Sequence, residues 1–451
     1  MSNYLFEMPA RENQKIDTPK EKITGKKHIR SANRSQVEYI TRSLDQLIPE
    51  DHRVRDVWEY VCSLDLRKFY EDIRVPEGGQ GPATADPKVL LALWLFALLE
   101  GVSSARQIDR LCREHQAYIW LCGGMSINYH TLSSFCNIHG TKFRVLLQES
   151  IALLWKSGQF SPEEVAQDGT RVKANAGGGS LRTEKTLTRY LDEANQYLDK
   201  LEKEHKENPS ASTMREKTAR ERAARDRKVR VQQAITEMAE YKSQKVKTAK
   251  QNHHKLTSKD LDKMRTSTTD PECRKMKMGD GGFRAAYNVQ FATSSDKKVI
   301  LGVDVVNTLD PGTVNALIQN VHENLGEAGC NKFPKRWLAD SAYANKTDTA
   351  DVEANFPDTT LYSPPTGNGK ADALSPRKSD TPAMKRLRER MSTEESQIIY
   401  KNRGSTAEFA NAVAKNRGMT EFKVRGIKKV KNMAMLYAVV HNMAILFSLI
   451  L

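Results

Sequence analysis

The hydrophobic pattern divides the chain into stretches that differ in polarity and in hydrophobic periodicity. Residues 1–40 are polar, rich in lysine and dotted with proline, which predicts a flexible basic arm with nothing to bury. Apolar runs at helical spacing over 41–160 predict a helical domain. Strand-like and helix-like runs over 161–180 and 266–451 predict an α/β domain, and the heptad-like pattern over 181–265 predicts an inserted helical hairpin.

Within the helical region, proline and glycine mark several helix ends. Pro87 stands where a first helical residue is expected, and Gly101 closes the apolar run that follows. Ser104-Ala105-Arg106-Gln107 has the sequence of a capping box and predicts the next helix. After the turn at Gly123-Gly124, one further helix is predicted from near Thr131 to Leu154. Such short helices with arginines on the outside fit a helix-turn-helix DNA reader, or simply a helical bundle.

The inserted stretch has apolar residues at alternating spacings of four and three, which is typical of a coiled-coil seam. A break at Asn208-Pro209-Ser210 separates two such segments and predicts an antiparallel hairpin. Three roles are compatible with this hairpin: dimerisation, DNA binding and a solvated spacer. The seam residues are Leu187, Leu191, Ala194, Leu198 and Leu201 before the break, and Val231, Ile235 and Met238 after it.

The remaining stretch alternates strands and helices. Strands are predicted at 286–291 and 299–306, followed by a helix at 313–325 and short strands at 336–340 and 360–363. This order predicts a mixed sheet with flanking helices. Between the last strand and the final helices, the composition of 364–382 is typical of a loop.

The charge balance favours a polyanionic partner. Lys and Arg number 71 against 56 acids, which gives a net charge of +15. Seven cations against one acid lie between 415 and 431. The polar N-terminus lacks the apolar core of a signal peptide, and the six cysteines lack zinc spacing, so a reducing cytosolic setting is expected. The apolar run from Met433 to Leu451 is interpreted as a packed terminal helix, with a membrane anchor as the alternative.

Three carboxylates are candidates for metal chemistry. Asp168 and Asp340 each follow a short apolar strand, and Glu408 lies near the start of a predicted helix. Several acids must converge where two divalent ions assist phosphoryl transfer. Simpler interpretations exist, because Asp168-Gly169 is also a turn sequence and Ser405-Thr406-Ala407-Glu408 is also a capping box. Asp304 and Asp310 compete with Asp340 for the role of the second acid.

These motifs resemble the DDE transposases of bacterial insertion sequences, whose C-terminal signature is Tyr, two residues, Arg, three residues, Glu, six residues, Lys. Here it reads Tyr400, Arg403, Glu408 and Lys415, with four residues between the arginine and the glutamate. The segments VAQDGTRVKANA, RWLADSAYAN and GGFRAAYNVQFAT resemble the parts of the family that carry the first acid, the second acid and the resumed sheet. The N-terminal region from LIPEDHRVRDV to TLSSF resembles one branch of the family.

The resemblance implies a ribonuclease-H-like catalytic domain that cleaves transposon ends and transfers strands with two divalent ions, Mg²⁺ or Mn²⁺. The implied partners are terminal inverted repeats and target DNA, bound by a homodimer in the bacterial cytoplasm at the nucleoid, with no membrane. The alternatives are a non-catalytic DNA-binding regulator derived from a transposase and a nuclease that never joins ends. The implied catalytic and metal-binding residues are Asp168, Asp340 and Glu408, and the predicted DNA-binding residues are Tyr400, Arg403, Lys415, Arg171, Lys173, Arg425 and Lys428.

Overall fold

The computed structural model describes residues 35, 37, 41–71, 73, 84–158, 160–207, 214–251, 255–366 and 373–450. The predicted arm at 1–40 therefore lies almost wholly outside the described residues. So do the predicted break at 208–210 and the middle of the predicted loop at 364–382.

Seven helices precede the sheet in the described part of the chain. The third is almost wholly buried, because nearly all of its residues are apolar. Asp86 caps its start by accepting a hydrogen bond from the Lys88 amide, and Gly101, with a φ of 78°, follows its end. The helices are α1 (Arg53–Ser63), α2 (Arg67–Tyr70), α3 (Pro87–Leu99), α4 (Ala105–Glu114), α5 (Gln116–Cys122), α6 (Tyr129–Ile138) and α7 (Gly140–Lys156). The predicted helical character of this region is confirmed.

Two details of this region differ from the prediction. Ser104 precedes α4 without a side-chain capping bond, so the predicted capping box is wrong. The single helix predicted from Thr131 is two helices that meet at His139. A side chain at Gly140 would lie 2.0 Å from the Asn432 Oδ1 of the C-terminal helix, so close packing requires the glycine there.

The sheet has the predicted ribonuclease-H-like form. Its main path runs β4-β5-β1-β7-β8, and β6 pairs with β5. The pairs β6–β5, β4–β5 and β5–β1 are antiparallel, whereas β1–β7 and β7–β8 are parallel. The strands are β1 (Glu164–Lys173), β4 (Arg274–Lys277), β5 (Phe283–Ser294), β6 (Ile300–Val306), β7 (Arg336–Leu338) and β8 (Thr360–Tyr362), and a separate ribbon pairs β2 (Leu181–Arg182) with β3 (Thr266–Ser267). Strand β4 was not predicted, because its exposed lysines mask the buried Met276.

The insertion between β1 and β5 is the predicted helical hairpin. It consists of α8 (Glu184–Glu207) and α9 (Met214–Gln251), followed by the short α10 (Ser258–Asp262). The seam buries Leu187, Ala194 and Leu201 on α8 and Val231 and Met238 on α9. The periodicity therefore predicted the contacting faces correctly.

Helices surround the sheet, and the last one lies in the core. They are α11 (Val314–Glu327), α12 (Lys346–Asn355), α13 (Pro382–Met391), α14 (Glu394–Asn416) and α15 (Ile427–Ile450). Helix α15 packs on α3, α7 and β6, so the N-terminal helices and the sheet share one hydrophobic core. Residues Leu44–Leu451 form one compact unit.

Within the described residues, α15 is the one helix long and apolar enough to span a membrane, and 67% of its most apolar stretch is buried inside the protein. The polar residues that interrupt the run are also buried. Asn442 accepts a hydrogen bond from the Ile300 amide (2.9 Å) and donates to the Ile300 carbonyl (2.9 Å) and to Ser150 Oγ (3.0 Å). His441 Nε2 lies 2.8 Å from the Lys298 carbonyl oxygen, and burial lowers its pKa to about 4. These contacts favour the predicted packed terminal helix.

We expect Asn442→Leu to lower the free energy of unfolding by about 3 kcal/mol, because it leaves the buried amide and carbonyl of Ile300 without partners. Urea denaturation followed by circular dichroism measures the change. Ser448→Ala on the same helix is the control, since Ser448 is exposed and its hydroxyl bonds only to the Ile445 carbonyl. Equal stability of Asn442→Leu and the parent would contradict the expectation.

Candidate active site

Helix α14 is positioned by small residues at its contact with the sheet. Ala407 packs against Ala166 of β1 and Leu338 of β7 in a buried cluster. An alanine adds little bulk, so the helix backbone approaches the two parallel strands closely. Tyr400, Arg403, Ala407 and Asn411 recur at spacings of three and four and therefore occupy one face of α14. This face brings polar side chains against β1.

Asp168 lies in the middle of β1, opposite Phe291 of β5. The predicted strand end at this residue is therefore wrong, and so is the turn interpretation of Asp168-Gly169. Both carboxylate oxygens meet side chains of α14. Asn411 Nδ2 donates to Oδ2 at 3.0 Å, and Arg403 Nη2 lies 3.4 Å from Oδ1.

Asp340 lies two residues after β7, which runs parallel to β1. Its Oδ1 accepts a hydrogen bond from the Ala342 amide at 2.8 Å and so begins the turn Ser341–Tyr343. Its Oδ2 lies 3.8 Å from the same Arg403 Nη2 that contacts Asp168. The fold therefore brings together the first two predicted acids, which are 172 residues apart, around one guanidinium group.

The surroundings of Asp168 disfavour its charge. Burial raises its pKa to about 6, Arg403 opposes this shift, and the carboxylates of Asp340 and Asp310 increase it. Only 20% of the side chain is exposed. The two acids are therefore held together against their mutual repulsion, and Arg403 supplies the compensating positive charge.

Glu408 occupies a different part of α14 from the one predicted. The helix begins at Glu394, where Thr393 caps it by accepting a hydrogen bond from the Ser396 amide, so Glu408 is in the helix interior and the capping box at Ser405 is excluded. The Glu408 side chain is exposed, as is that of Lys415. No three His, Cys, Asp or Glu side chains are grouped for metal binding in the described part of the chain. The role of Glu408 as the third acid stays a prediction.

Asp310 lies on the opposite face of β1 from Asp168. An added Cβ at Gly169 would be 2.2 Å from Asp310 Oδ1, and side chains of neighbouring strand residues point to opposite faces, so Asp310 and Asp168 occupy different faces of β1. Asp310 Oδ1 accepts hydrogen bonds from Asn288 and Gln290, both at 2.9 Å. This explains Gly169, because any larger residue would collide with these groups.

Asp304 pairs with a lysine of α15: its Oδ1 accepts a hydrogen bond from Lys431 Nζ at 2.7 Å. Three aspartates are candidates for the second acid. Arg403 contacts both Asp340 and Asp168, whereas Asp304 and Asp310 form other contacts.

The other predicted DNA-binding residues differ in their exposure. Arg171 donates to the Lys277 carbonyl and lies 3.9 Å from Asp310, which ties it to the protein. Tyr400 is half-buried, and its burial raises its pKa. The exposed members of the set are Lys173, Lys415, Arg425 and Lys428.

Comparison with known families finds transposase domains in two segments of the chain. Residues 366–447 match a family described as Transposase DDE domain, and residues 42–137 match one described as Transposase domain (DUF772). The resemblance to the DDE transposases is confirmed. The first match contains α14 with Arg403 and Glu408, whereas Asp168 and Asp340 lie outside both matched segments. Searches of the curated proteins and of the solved structures found no significant match.

The oxygen atoms of Asp168, Asp340 and Asn411 are suited to bind a divalent ion of the kind that DDE transposases use. Asp168 and Asp340 supply carboxylate oxygens, and the buried Oδ1 of Asn411 is an acceptor without a hydrogen-bond partner in the described structure. Mg²⁺ and Mn²⁺ prefer such oxygen donors.

Sequence reasoning missed Asn411, although a signal for it existed. It is eight residues after Arg403, slightly more than two helical turns, so the two side chains project toward the same strand. The predicted capping box removed this signal, because it placed the start of the helix after Arg403.

We expect Asp168→Asn to raise the melting temperature of the metal-free protein at pH 8 by about 3 °C. The pKa of this carboxyl is raised from 3.8 to about 6, so the folded state binds its proton more tightly than the unfolded state. Stability is then lost as the pH rises from about 4 to about 6, and the full loss persists at pH 8.

The measurement is thermal unfolding at pH 4 and pH 8 with a chelator present. Asp168→Asn should raise the melting temperature only slightly at pH 4, where the parent carboxyl is already protonated. Asp358→Asn, at an exposed site, should leave the melting temperature unchanged at either pH. A lower melting temperature for Asp168→Asn than for the parent at pH 8 would show that Arg403 and Asn411 fully compensate the charge of the Asp168 carboxylate.

Proposed function

We propose that the protein is an active DDE transposase that cleaves DNA at the ends of an insertion sequence and joins those ends to target DNA. The observation that carries this proposal is the meeting of Asp168 and Asp340 at the Arg403 guanidinium. Asp168 lies on β1, and Asp340 lies two residues after β7, the strand that runs parallel to β1 in a ribonuclease-H-like sheet. Two transposase family matches, one on each side of these acids in the sequence, support it.

Each residue of the site has a role in this proposal. Asp168 and Asp340 would hold two divalent ions, with Glu408 as the third acid. When bound, such ions activate the attacking oxygen and stabilise the leaving oxygen of a phosphodiester. Arg403 orients a phosphate, because a planar guanidinium can donate two parallel hydrogen bonds to its oxygens. Tyr400 lies on the same face of α14 as Arg403, and Lys415 adds a positive charge on this helix.

The charge distribution supports DNA as the partner. The exposed Lys173, Lys415, Arg425 and Lys428 add to a net charge of +15, and a polyanion is attracted to such a surface. Pairing of two transposon ends requires two active sites, so we propose a homodimer on DNA. The proposed location is the bacterial cytoplasm, at the nucleoid.

We expect Asp340→Asn to abolish Mn²⁺-dependent cleavage of labelled terminal inverted repeats while DNA binding changes less than about twofold. The substitution removes one carboxylate charge and leaves the exposed cations in place. Cleavage and strand transfer are measured on denaturing gels, and binding is measured by mobility shift.

Asp358→Asn, an exposed aspartate after α12, is the matched control and should cleave like the parent. A parent protein that shifts the DNA and never nicks it would support the non-catalytic regulator, and hydrolysis without joined products would support the nuclease. Full strand transfer by Asp340→Asn would remove this residue from the site.

A separate prediction concerns the exposed lysines. Lys415→Ala and Lys428→Ala should each weaken DNA binding at low salt and reduce the slope of log affinity against log salt by about 0.9, if each lysine neutralises one phosphate. Binding is measured by fluorescence anisotropy at several salt concentrations. Lys156→Ala, at the exposed end of α7, is the control. An unchanged slope in both variants would place the DNA on another surface.

A further inference from the structure

Asn411 is the most buried side chain that contacts a carboxylate group of the proposed site in the described structure. Its side chain is on α14, and the residue is only 7% exposed. Its Nδ2 donates to Asp168 Oδ2 at 3.0 Å, whereas Arg403 contacts the other oxygen, Oδ1. Each oxygen of this carboxylate therefore has its own partner on α14. Two partners on different oxygens fix the rotation of a carboxylate about its Cβ–Cγ bond, which a single partner would not.

The second atom of the same amide points to a ligand. Asn411 Oδ1 is buried and accepts no hydrogen bond within the described structure. Buried acceptors are almost always satisfied, because leaving one unpaired is costly. An unpaired acceptor directly beside Asp168 is suited to a hydrogen donor that arrives with the ligand, such as a water molecule. Arg403 Nε is a buried donor without a partner at the same place.

We propose that Asn411 is a positioning residue of the active site, which orients Asp168 through its Nδ2 and receives a water hydrogen at its Oδ1. This role rests on the proposed function and extends it, since none of the motifs or family resemblances pointed to this position. The amide holds Asp168 Oδ2, while Oδ1 contacts Arg403 Nη2, the atom that also lies 3.8 Å from Asp340 Oδ2. Partners that orient a metal-binding carboxylate contribute 10–100-fold to metal affinity in typical sites.

The same helix provides a matched control. Asn402 Nδ2 donates to Glu164 Oε1 at 3.1 Å, so it also joins α14 to a carboxylate of β1. Glu164 is four residues before Asp168 on that strand and has no contact with Arg403 among the described interactions. Asn402→Leu and Asn411→Leu therefore break the same kind of bond between the same two elements, and only one of them touches the acid that would hold the ion.

The test is Mn²⁺ binding to the full-length protein without DNA, measured by electron paramagnetic resonance of the free ion. We expect Asn411→Leu to weaken Mn²⁺ binding by about 10–100-fold and Asn402→Leu to change it less than twofold. Circular dichroism and the melting temperature of each variant establish that it is folded. If Asn411→Leu does not fold, Asn411→Ala is measured in the same way.

Three results would overturn the proposal, and they are distinguishable. A folded Asn411 variant that binds Mn²⁺ within twofold of the parent would show that this amide only joins the helix to the strand. Equal Mn²⁺ binding by the parent and by Asp168→Asn would show that Asp168 holds no ion, which would overturn the proposed function as well. A comparable loss of affinity in Asn402→Leu would mean that the helix–strand contact, rather than Asn411 itself, controls binding.

Discussion

The candidate site depends on keeping two carboxylates together at a largely buried position. Asp168 is four-fifths buried, and Asp340 lies close enough to raise its pKa. Like charges in such surroundings repel more strongly than they do in water, so a compensating group is required. Arg403 supplies the positive charge, and Asn411 supplies a neutral donor. Both belong to α14, and this helix therefore determines whether the acids can remain side by side.

The closeness of α14 follows from small side chains on both sides of β1. Ala407 and Ala166 allow the helix to approach one face of the strand, and Gly169 allows Asp310, Asn288 and Gln290 to fill the other. Any larger residue at Gly169 would push these polar groups away from the strand. Strand β1 is therefore fixed by close contacts on both faces, which limits the freedom of the carboxylate it carries.

The N-terminal helices and the sheet are joined by α15. This helix contacts α3 and α7 on one side and β6 on the other, and Asn442 bonds to both β6 and α7. The backbone of Ile300 at the edge strand β6 is thereby paired with a side chain instead of with water or another strand. The N-terminal helices therefore pack on the same hydrophobic core as the sheet that carries Asp168.

The sequence by itself determined which elements form and which chemical groups they carry. The periodicity predicted the hairpin seam, the buried α3 and the mixed sheet, and the spacing of Tyr400, Arg403 and Glu408 indicated the family. These features depend on residues a few positions apart, whose conformations are set by local sterics and by which face is apolar. For the same reason, the local pattern at Ser405 could mimic a helix start when the true cap was Thr393, twelve residues earlier.

Only the tertiary structure decided which groups meet. Asn411 reaches Asp168 across 243 residues of sequence, and Arg403 reaches it across 235. Helical spacing relates these two side chains to each other, but only the fold shows that they meet Asp168. The assignment of Asp310 to the opposite face of β1 likewise depends on the register of β1 with β5. The crossing of α14 over β1 is fixed by packing throughout the core, and packing is a property of the whole chain rather than of any segment.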